Sequence, residues 1–489
     1  MKRSIAPSTN LVLSLRDMGY TLETALADVI DNSISSGATR ITIMSPPTSP
    51  PRITITDNGK GLTEEQIQDA LTLARLSPDV VRLSDDLGRY GMGMKTASWS
   101  QCRRLTLVSA VDGDVHGATV DLDDIHASNE WVADFLEPSR IAELPDIATL
   151  PQTGTMLVWE ALDRVVAESD DHALTELASK LGQAAAHLEL VFHRFLTHEA
   201  GHPQIVITLN KRDLEPTDPF ASRHPATQRS SEETIRLGDS GDVTIQAFTL
   251  PHHSKISAEA SERLGGAEGY VKNQGFYLYR ERRLILWGTW FRLTRAHPTL
   301  NLSRIRIDIP NTMDAQWHIN IIKASAQPPR VVRDRLKQII DSFVAPSRRI
   351  YRHRGYTQTQ DEYAPVWMQK TAAGRVSYQI VDSHPLIARF RDGLTREQKD
   401  TFRAVLETVQ SSVPMDALTL ALADGADKVD TGAISAESLR VLFLAIVPML
   451  LQTKKETDVW EQLRRKEPFR SNLDQLDGLI TDWSQHERD

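Results

Sequence analysis

Leu87-Gly88-Arg89-Tyr90-Gly91-Met92-Gly93-Met94-Lys95-Thr96-Ala97-Ser98 sets three glycines directly ahead of a segment that reads as a helix. Glycines at a helix N-terminus leave backbone N–H groups open to a phosphate, and the helix dipole adds to the attraction. Lys95 supplies a point charge. Met94 separates Gly93 from Lys95, so the Walker A spacing fails, and no G-x-G-x-x-G is present. P-loop and Rossmann readings are therefore set aside.

Two upstream segments extend the pattern. From Thr21 to Ser36, Leu22, Ala25, Leu26, Val29, Ile30 and Ile34 recur close to a 3.6-residue period, which predicts an amphipathic helix. Asp28 and Asn32 stand one turn apart on another face. A carboxylate there can polarise a water, and a carboxamide oxygen can ligate a hard cation such as Mg²⁺. The same spacing also occurs on solvated helix faces. Next, Arg40–Met44 and Arg52–Thr56 alternate like strands, joined across Pro46, Pro47, Pro50 and Pro51. Asp57 closes the second strand, and Gly59 and Gly61 follow. An ionised Asp only accepts, which suits an exocyclic amino group such as that of adenine. The glycines permit close approach of a flat ring. Thr63-x-x-Gln66 resembles a capping box opening the next helix.

In order and spacing these segments resemble the GHKL ATPases: gyrase B, the ninety-kilodalton heat-shock chaperone, histidine kinases and MutL. Met18-Gly19-Tyr20, Ala27–Ser33 and Gly88–Lys95 look most like MORC ATPases and their prokaryotic relatives. The resemblance implies an α+β protein. A Bergerat-type ATP-binding α/β sandwich would span 1–200, an α+β transducer-type domain 201–350, and a mostly helical domain 351–489. It implies ATP and Mg²⁺ as cofactors, with Asn32 on the metal, Asp57 on adenine, and Gly59 and Gly61 shaping the base pocket. Gly88, Tyr90, Gly91, Met92, Gly93, Met94 and Lys95 would close over the phosphates. Thr155, in Thr153-Gly154-Thr155-Met156, matches the threonine that ends the pocket. Lys323, in the loop before Pro328-Pro329, is the candidate for the transducer lysine that reaches the terminal phosphate. The family's usual base is glutamate. Here Asp28 holds that position and is one methylene shorter, so turnover could be slow or the chain could act as an ATP-bound switch.

Residues 77–90 carry few apolar anchors and form a candidate lid. A second domain is expected to start at the strand-like Gln204–Leu209, and Gly275-Phe276-Tyr277-Leu278-Tyr279-Arg280 looks MORC-like. Farther on, Val376–Val381 alternates like a strand, and Lys399–Val413 and Ser435–Leu451 read as helices.

The 489 residues are 40% hydrophobic and 25% charged, with net charge −9 and a single cysteine, Cys102. No membrane span or secretory leader is expected, which makes the cytoplasm the default. One cysteine excludes an intrachain disulfide and a cysteine-built zinc module. Arginines cluster at Arg280–Arg306 and again at Arg330–Arg354. Such a surface could neutralise DNA phosphates without reading sequence, or it could be paired locally with acidic residues. The resemblance adds ATP-dependent homodimerisation, clamping or remodelling of DNA, and a link to restriction-modification or antiphage defence. A nuclease or defence protein is a possible partner. A chaperone-like ATPase for protein clients is the competing reading. A histidine kinase is set aside for want of a phospho-acceptor helix ahead of the site.

Overall fold

The computed structural model describes residues 14–72, 87, 93–166, 172–238, 241–251, 256–266, 269–297, 300–319, 325–340, 366–372, 375–413, 434–452, 455–464 and 468–486. Most of the expected lid lies outside these, as do Gly88, Tyr90, Gly91, Met92, Lys323, Arg348, Arg349, Arg352 and Arg354. The chain forms two compact units, Met1–Tyr351 and Arg352–Asp489.

The fold class is the expected one, α+β with a mostly helical C-terminal region. The first unit is built on an eight-stranded sheet of order β5-β4-β3-β6-β2-β1-β7-β8. Its strands are β1 (Arg40–Met44), β2 (Ile53–Asp57), β3 (Arg104–Val111), β4 (Asp114–Asp121), β5 (Asp134–Phe135), β6 (Gly154–Glu160), β7 (Val206–Leu209) and β8 (Arg212–Asp213). Helices α1 (Leu22–Ser35), α2 (Glu64–Leu71), α3 (Gly93–Trp99) and α4 (Ala173–Val191) join them. The Thr63/Gln66 capping box forms as expected, with Thr63 N–H donating to Gln66 Oε1 at 3.0 Å.

Alternation along the strands gives the sheet two apolar faces. Leu105, Leu107, Leu157 and Trp159 join Leu26, Ile30, Leu181 and Leu188 in the main core. Val108, Met156 and Val158 point the other way, against Ile141. Fully burying one Leu or Ile contributes about 1.5–3 kcal/mol, so the α1 stripe anchors the helix that carries Asp28.

One boundary needs correction. Val206–Leu209, expected to open the second domain, pairs in parallel with β1, Ile41 opposite Ile207. It therefore belongs to the first sheet. Alternation identifies the strand but not its partner, which lies 166 residues upstream in the sequence (Ile207 against Ile41).

A second sheet follows, in the order β10-β11-β14-β12-β13 with β9 added on β11. Its strands are β9 (Gln228–Arg229), β10 (Glu233–Arg236), β11 (Asp242–Thr249), β12 (Gly275–Arg280), β13 (Arg283–Thr289) and β14 (Ser303–Ile309). β12 is buried on both faces. Phe276 and Leu278 enter a core with Ile305, Ile307, Trp317, Val332 and Leu336, the last two from the helix over 330–340. Tyr277 and Tyr279 enter the core of the first sheet.

The second unit contains a hairpin, Trp367–Ala372 with Arg375–Ile380, and several helices. Its core gathers Leu439, Phe443, Ile446, Val447 and Leu450 of the helix Ala436–Leu451 with Val459, Leu463, Phe469 and Leu476.

Candidate functional site

Asp57 sits where β2 meets β6, opposite Thr155. Its Oδ2 accepts from Ser33 Oγ at 2.8 Å and its Oδ1 from Gly59 N–H at 2.8 Å. The carboxyl is buried, and desolvation pushes its pKa above the ordinary value despite bonds from Gly59, Ser33 and Thr155. A Cβ on Gly59 would lie 1.9 Å from Ser36 Oγ. Gly61 has φ +68°, and a Cβ there would fall 2.1 Å from the Ala110 carbonyl oxygen. Ser109 Oγ ties the rim together. It donates to Gly154 O at 2.8 Å, lies 2.9 Å from Thr155 Oγ1 and accepts from Leu62 N–H at 2.8 Å.

Gly61→Ala combines a left-handed backbone with a clash against main chain, which side-chain movement cannot relieve. We expect it to destabilise the first unit by about 2 kcal/mol or more. Urea unfolding followed by tryptophan fluorescence checks this, and an unchanged midpoint would contradict it.

On α1, Asp28 is buried, and its Oδ2 accepts from Tyr20 Oη at 2.7 Å. Burial and the neighbouring carboxylate raise the Tyr20 pKa far above its ordinary value, so the phenol remains a donor. A Cβ on Gly93 would meet Asp28 Oδ2 at 3.6 Å, which brings the last of the three glycines and the candidate base together. Asn32 is exposed, and its Nδ2 donates to the Asp28 carbonyl at 2.9 Å. That bond commits the amide nitrogen and leaves the oxygen as the group able to meet a cation. Asp31, between them, is buried and paired with Arg283, Nε to Oδ1 at 3.2 Å. The sequence assigns no site role to Tyr20, Ser33 or Ser109, although Tyr20 and Ser33 lie in quoted motifs.

Lys95 is placed differently from the expectation. Its ammonium donates to the carbonyls of Ala70 and Thr72, both at 2.7 Å, at the C-terminal end of α2. Cations are favoured at helix C-termini, but desolvation still lowers the Lys95 pKa to about 8. Met94 is half-buried against the main core.

The arginine surface also needs correction. Arg280, Arg283 and Arg304 are buried rather than exposed. Arg280 holds Asp314 through two nitrogens, at 2.7 and 2.8 Å. Arg304 donates to the Pro219 and Leu264 carbonyls. Arg306 pairs with Glu232 and Asp308, and Arg335 with Glu233. Planar guanidinium groups suit such buried, multiply bonded positions. Arg292, Arg295, Arg330, Arg333 and Lys337 remain exposed.

The donor set fits a magnesium nucleotide. A buried acceptor-only carboxylate stands beside a cradle that a Cβ would fill, and an outward carboxamide oxygen lies on the adjacent helix. Comparison with known proteins agrees with this geometry. Residues 20–155 match the family of histidine kinase-, DNA gyrase B- and HSP90-like ATPases. The match contains Asp28, Asn32, Asp57, Gly59, Gly61, Gly93, Lys95 and Thr155, so residues 20–155 are similar to a GHKL-superfamily ATPase domain. The DNA mismatch repair protein MutL of Streptococcus thermophilus, in strains LMD-9 and CNRZ 1066, is 32% identical over 94 residues. That stretch is 18% of this chain and covers only 14% of the relative's length. Among the described residues, no helix is long and apolar enough to cross a membrane.

Proposed function

We propose that the chain binds magnesium ATP between α1, the Asp57–Gly61 turn and the glycine segment ahead of α3, and hydrolyses it. The observation that carries this reading is Asp57, a buried carboxylate held at both oxygens beside Gly59 and Gly61. Asp57 binds the exocyclic amine of the base, with Thr155 at the pocket's end. Asn32 presents its amide oxygen to the metal. Asp28, held by Tyr20, takes the proton of the attacking water. The metal supplies charge neutralisation at the phosphates. Gly88 to Lys95 contact the phosphates, which requires Lys95 to leave the α2 carbonyls. Lys323 is proposed as the cation that reaches the terminal phosphate.

The finer reading is a MORC-like ATPase whose ATP-bound form pairs two copies and holds DNA, in a defence setting. Its support is the Ala27–Ser33 and Gly88–Lys95 wording together with the second sheet. Any DNA contact falls to exposed cations such as Arg292, Arg295, Arg330 and Arg333. The burial of Arg280, Arg283 and Arg304 gives some weight to the alternative, a clamp on protein clients.

Sedimentation with a non-hydrolysable ATP analogue is expected to convert monomer to dimer, and double-stranded DNA is expected to stimulate turnover several-fold at low salt. A chain that stays monomeric with bound analogue contradicts the clamp. Turnover indifferent to DNA and raised by unfolded protein selects the client reading.

A further inference from the structure

The turn between β12 and β13 is built against backbone preference. Arg280 pairs with Arg283, and the two residues between them, Glu281 and Arg282, have φ of +47° and +70°. Two-residue hairpins of this kind ordinarily use Asn-Gly, because side chains strain the left-handed region. Here surrounding bonds hold the strain. Glu281 N–H donates to Ile309 O at 3.2 Å, and its Oε1 accepts from Asn311 N–H at 2.9 Å. Arg282 donates to Glu199 Oε2 at 3.1 Å and to the Arg194 carbonyl at 2.7 Å. An over-determined strained turn is a reason to look for function at that spot.

What the turn presents is three arginines, each on a different element of the first sheet's domain. Arg282 holds the helix His193–Leu196 through Arg194 and its neighbour Glu199. Arg283 reaches Asp31, which lies between Asp28 and Asn32 on α1, and its guanidinium lies 5.0 Å from the Phe192 ring centre. Arg280 spans two groups at once. Two nitrogens take Asp314, while Nη1 donates to the Leu87 carbonyl at 3.0 Å. Leu87 immediately precedes the glycines. It is 2% exposed, and its N–H donates to Ser35 Oγ at 3.0 Å.

We infer that the hairpin tip Arg280–Arg283 couples the second sheet to the nucleotide site. In this role Arg283 is a positioning residue for α1 through Asp31, and Arg280 is a positioning residue for Leu87. The inference rests on the proposed nucleotide site. Coupling is reciprocal, so whatever moves the second sheet changes nucleotide affinity by the factor with which nucleotide moves the sheet. A lysine cannot replace Arg280, because one ammonium cannot make a bidentate carboxylate pair and also reach the Leu87 carbonyl.

The test uses the full chain and three sets of variants. Arg280→Lys keeps the charge beside Asp314 and removes the reach to Leu87. It is expected to melt close to wild type and to bind a fluorescent ATP analogue about tenfold more weakly. Arg283→Gln and Asp31→Asn are each expected to weaken binding about tenfold. The double variant, which removes both charges of the pair, is expected to lose no more than either single one. Amide exchange over residues 28–35, measured without nucleotide, is expected to rise in both single variants. Wild-type affinity in both Arg280→Lys and Arg283→Gln, with wild-type exchange in Arg283→Gln, overturns the inference, as do losses that multiply in the double variant. If wild type itself binds no ATP, the nucleotide reading fails, and the exchange measurement still decides whether the hairpin holds α1.

Discussion

Asp57→Asn is expected to weaken ATP binding about 100-fold or more while melting no lower than wild type at neutral pH. The two effects have one cause. Burial raises the Asp57 pKa above its ordinary value of about 3.9. Between the unfolded and the folded values the native state therefore binds more protons, and stability falls as pH rises through the folded value. Wherever Asp57 is ionised, the fold carries that cost. Asparagine avoids it and keeps the bonds to Gly59 and Ser33, since its oxygen accepts from Gly59 N–H and Ser33 can reverse its hydroxyl to accept from the amide. It lacks the second acceptor that an exocyclic amine needs. A lost charge-assisted bond with an unsatisfied donor costs about 3 kcal/mol, roughly 100-fold in affinity. Calorimetric titration with ATP and a thermal melt on the same sample separate the two effects. Wild-type affinity in the variant would remove Asp57 from base recognition, and a much lower melting point would make its role structural.

The parts of the site that were legible in the sequence are those whose determinants are local. The α1 stripe fixes which face Asp28 shares with Asn32, since helical period alone orders them. Asp57, Gly59 and Gly61 lie within one turn, so their proposed roles follow from acceptor chemistry and from backbone conformations that a Cβ would obstruct. Thr155 was legible by resemblance, and register then set it opposite Asp57. The arginines were not legible. A run such as Arg280-Glu281-Arg282-Arg283 reads as surface because its partners are remote in sequence: Asp31 is 252 residues from Arg283, and Leu87 is 193 from Arg280. Lys95 is placed differently from the expectation for a related reason. Its position at a helix N-terminus favoured a phosphate, yet the long side chain reaches the carbonyls that end α2. β7 shows the same limit for strands, where alternation marks the element but says nothing of which edge it extends.

Asp28→Asn is expected to slow ATP turnover by about 100- to 10,000-fold, the usual contribution of a positioned general base, with ATP affinity changed only a few-fold. The substitution preserves shape. The asparagine oxygen still accepts from Tyr20 Oη, and the side chain stays against Gly93, so the helix and the phosphate-facing segment keep their places. Only the ability to take a proton is lost. Asp31, three residues on, offers no substitute, because it is buried and committed to Arg283. Tyr20 offers none either, since its raised pKa keeps the phenol protonated and acceptor-poor at working pH. Single-turnover kinetics with labelled ATP, run beside equilibrium binding, separates chemistry from affinity. Slow chemistry with intact binding identifies Asp28 as the base. Equal turnover in variant and wild type would show that the shorter carboxylate never reaches the water, and the ATP-bound form, rather than its hydrolysis, would then be the state that the second sheet responds to.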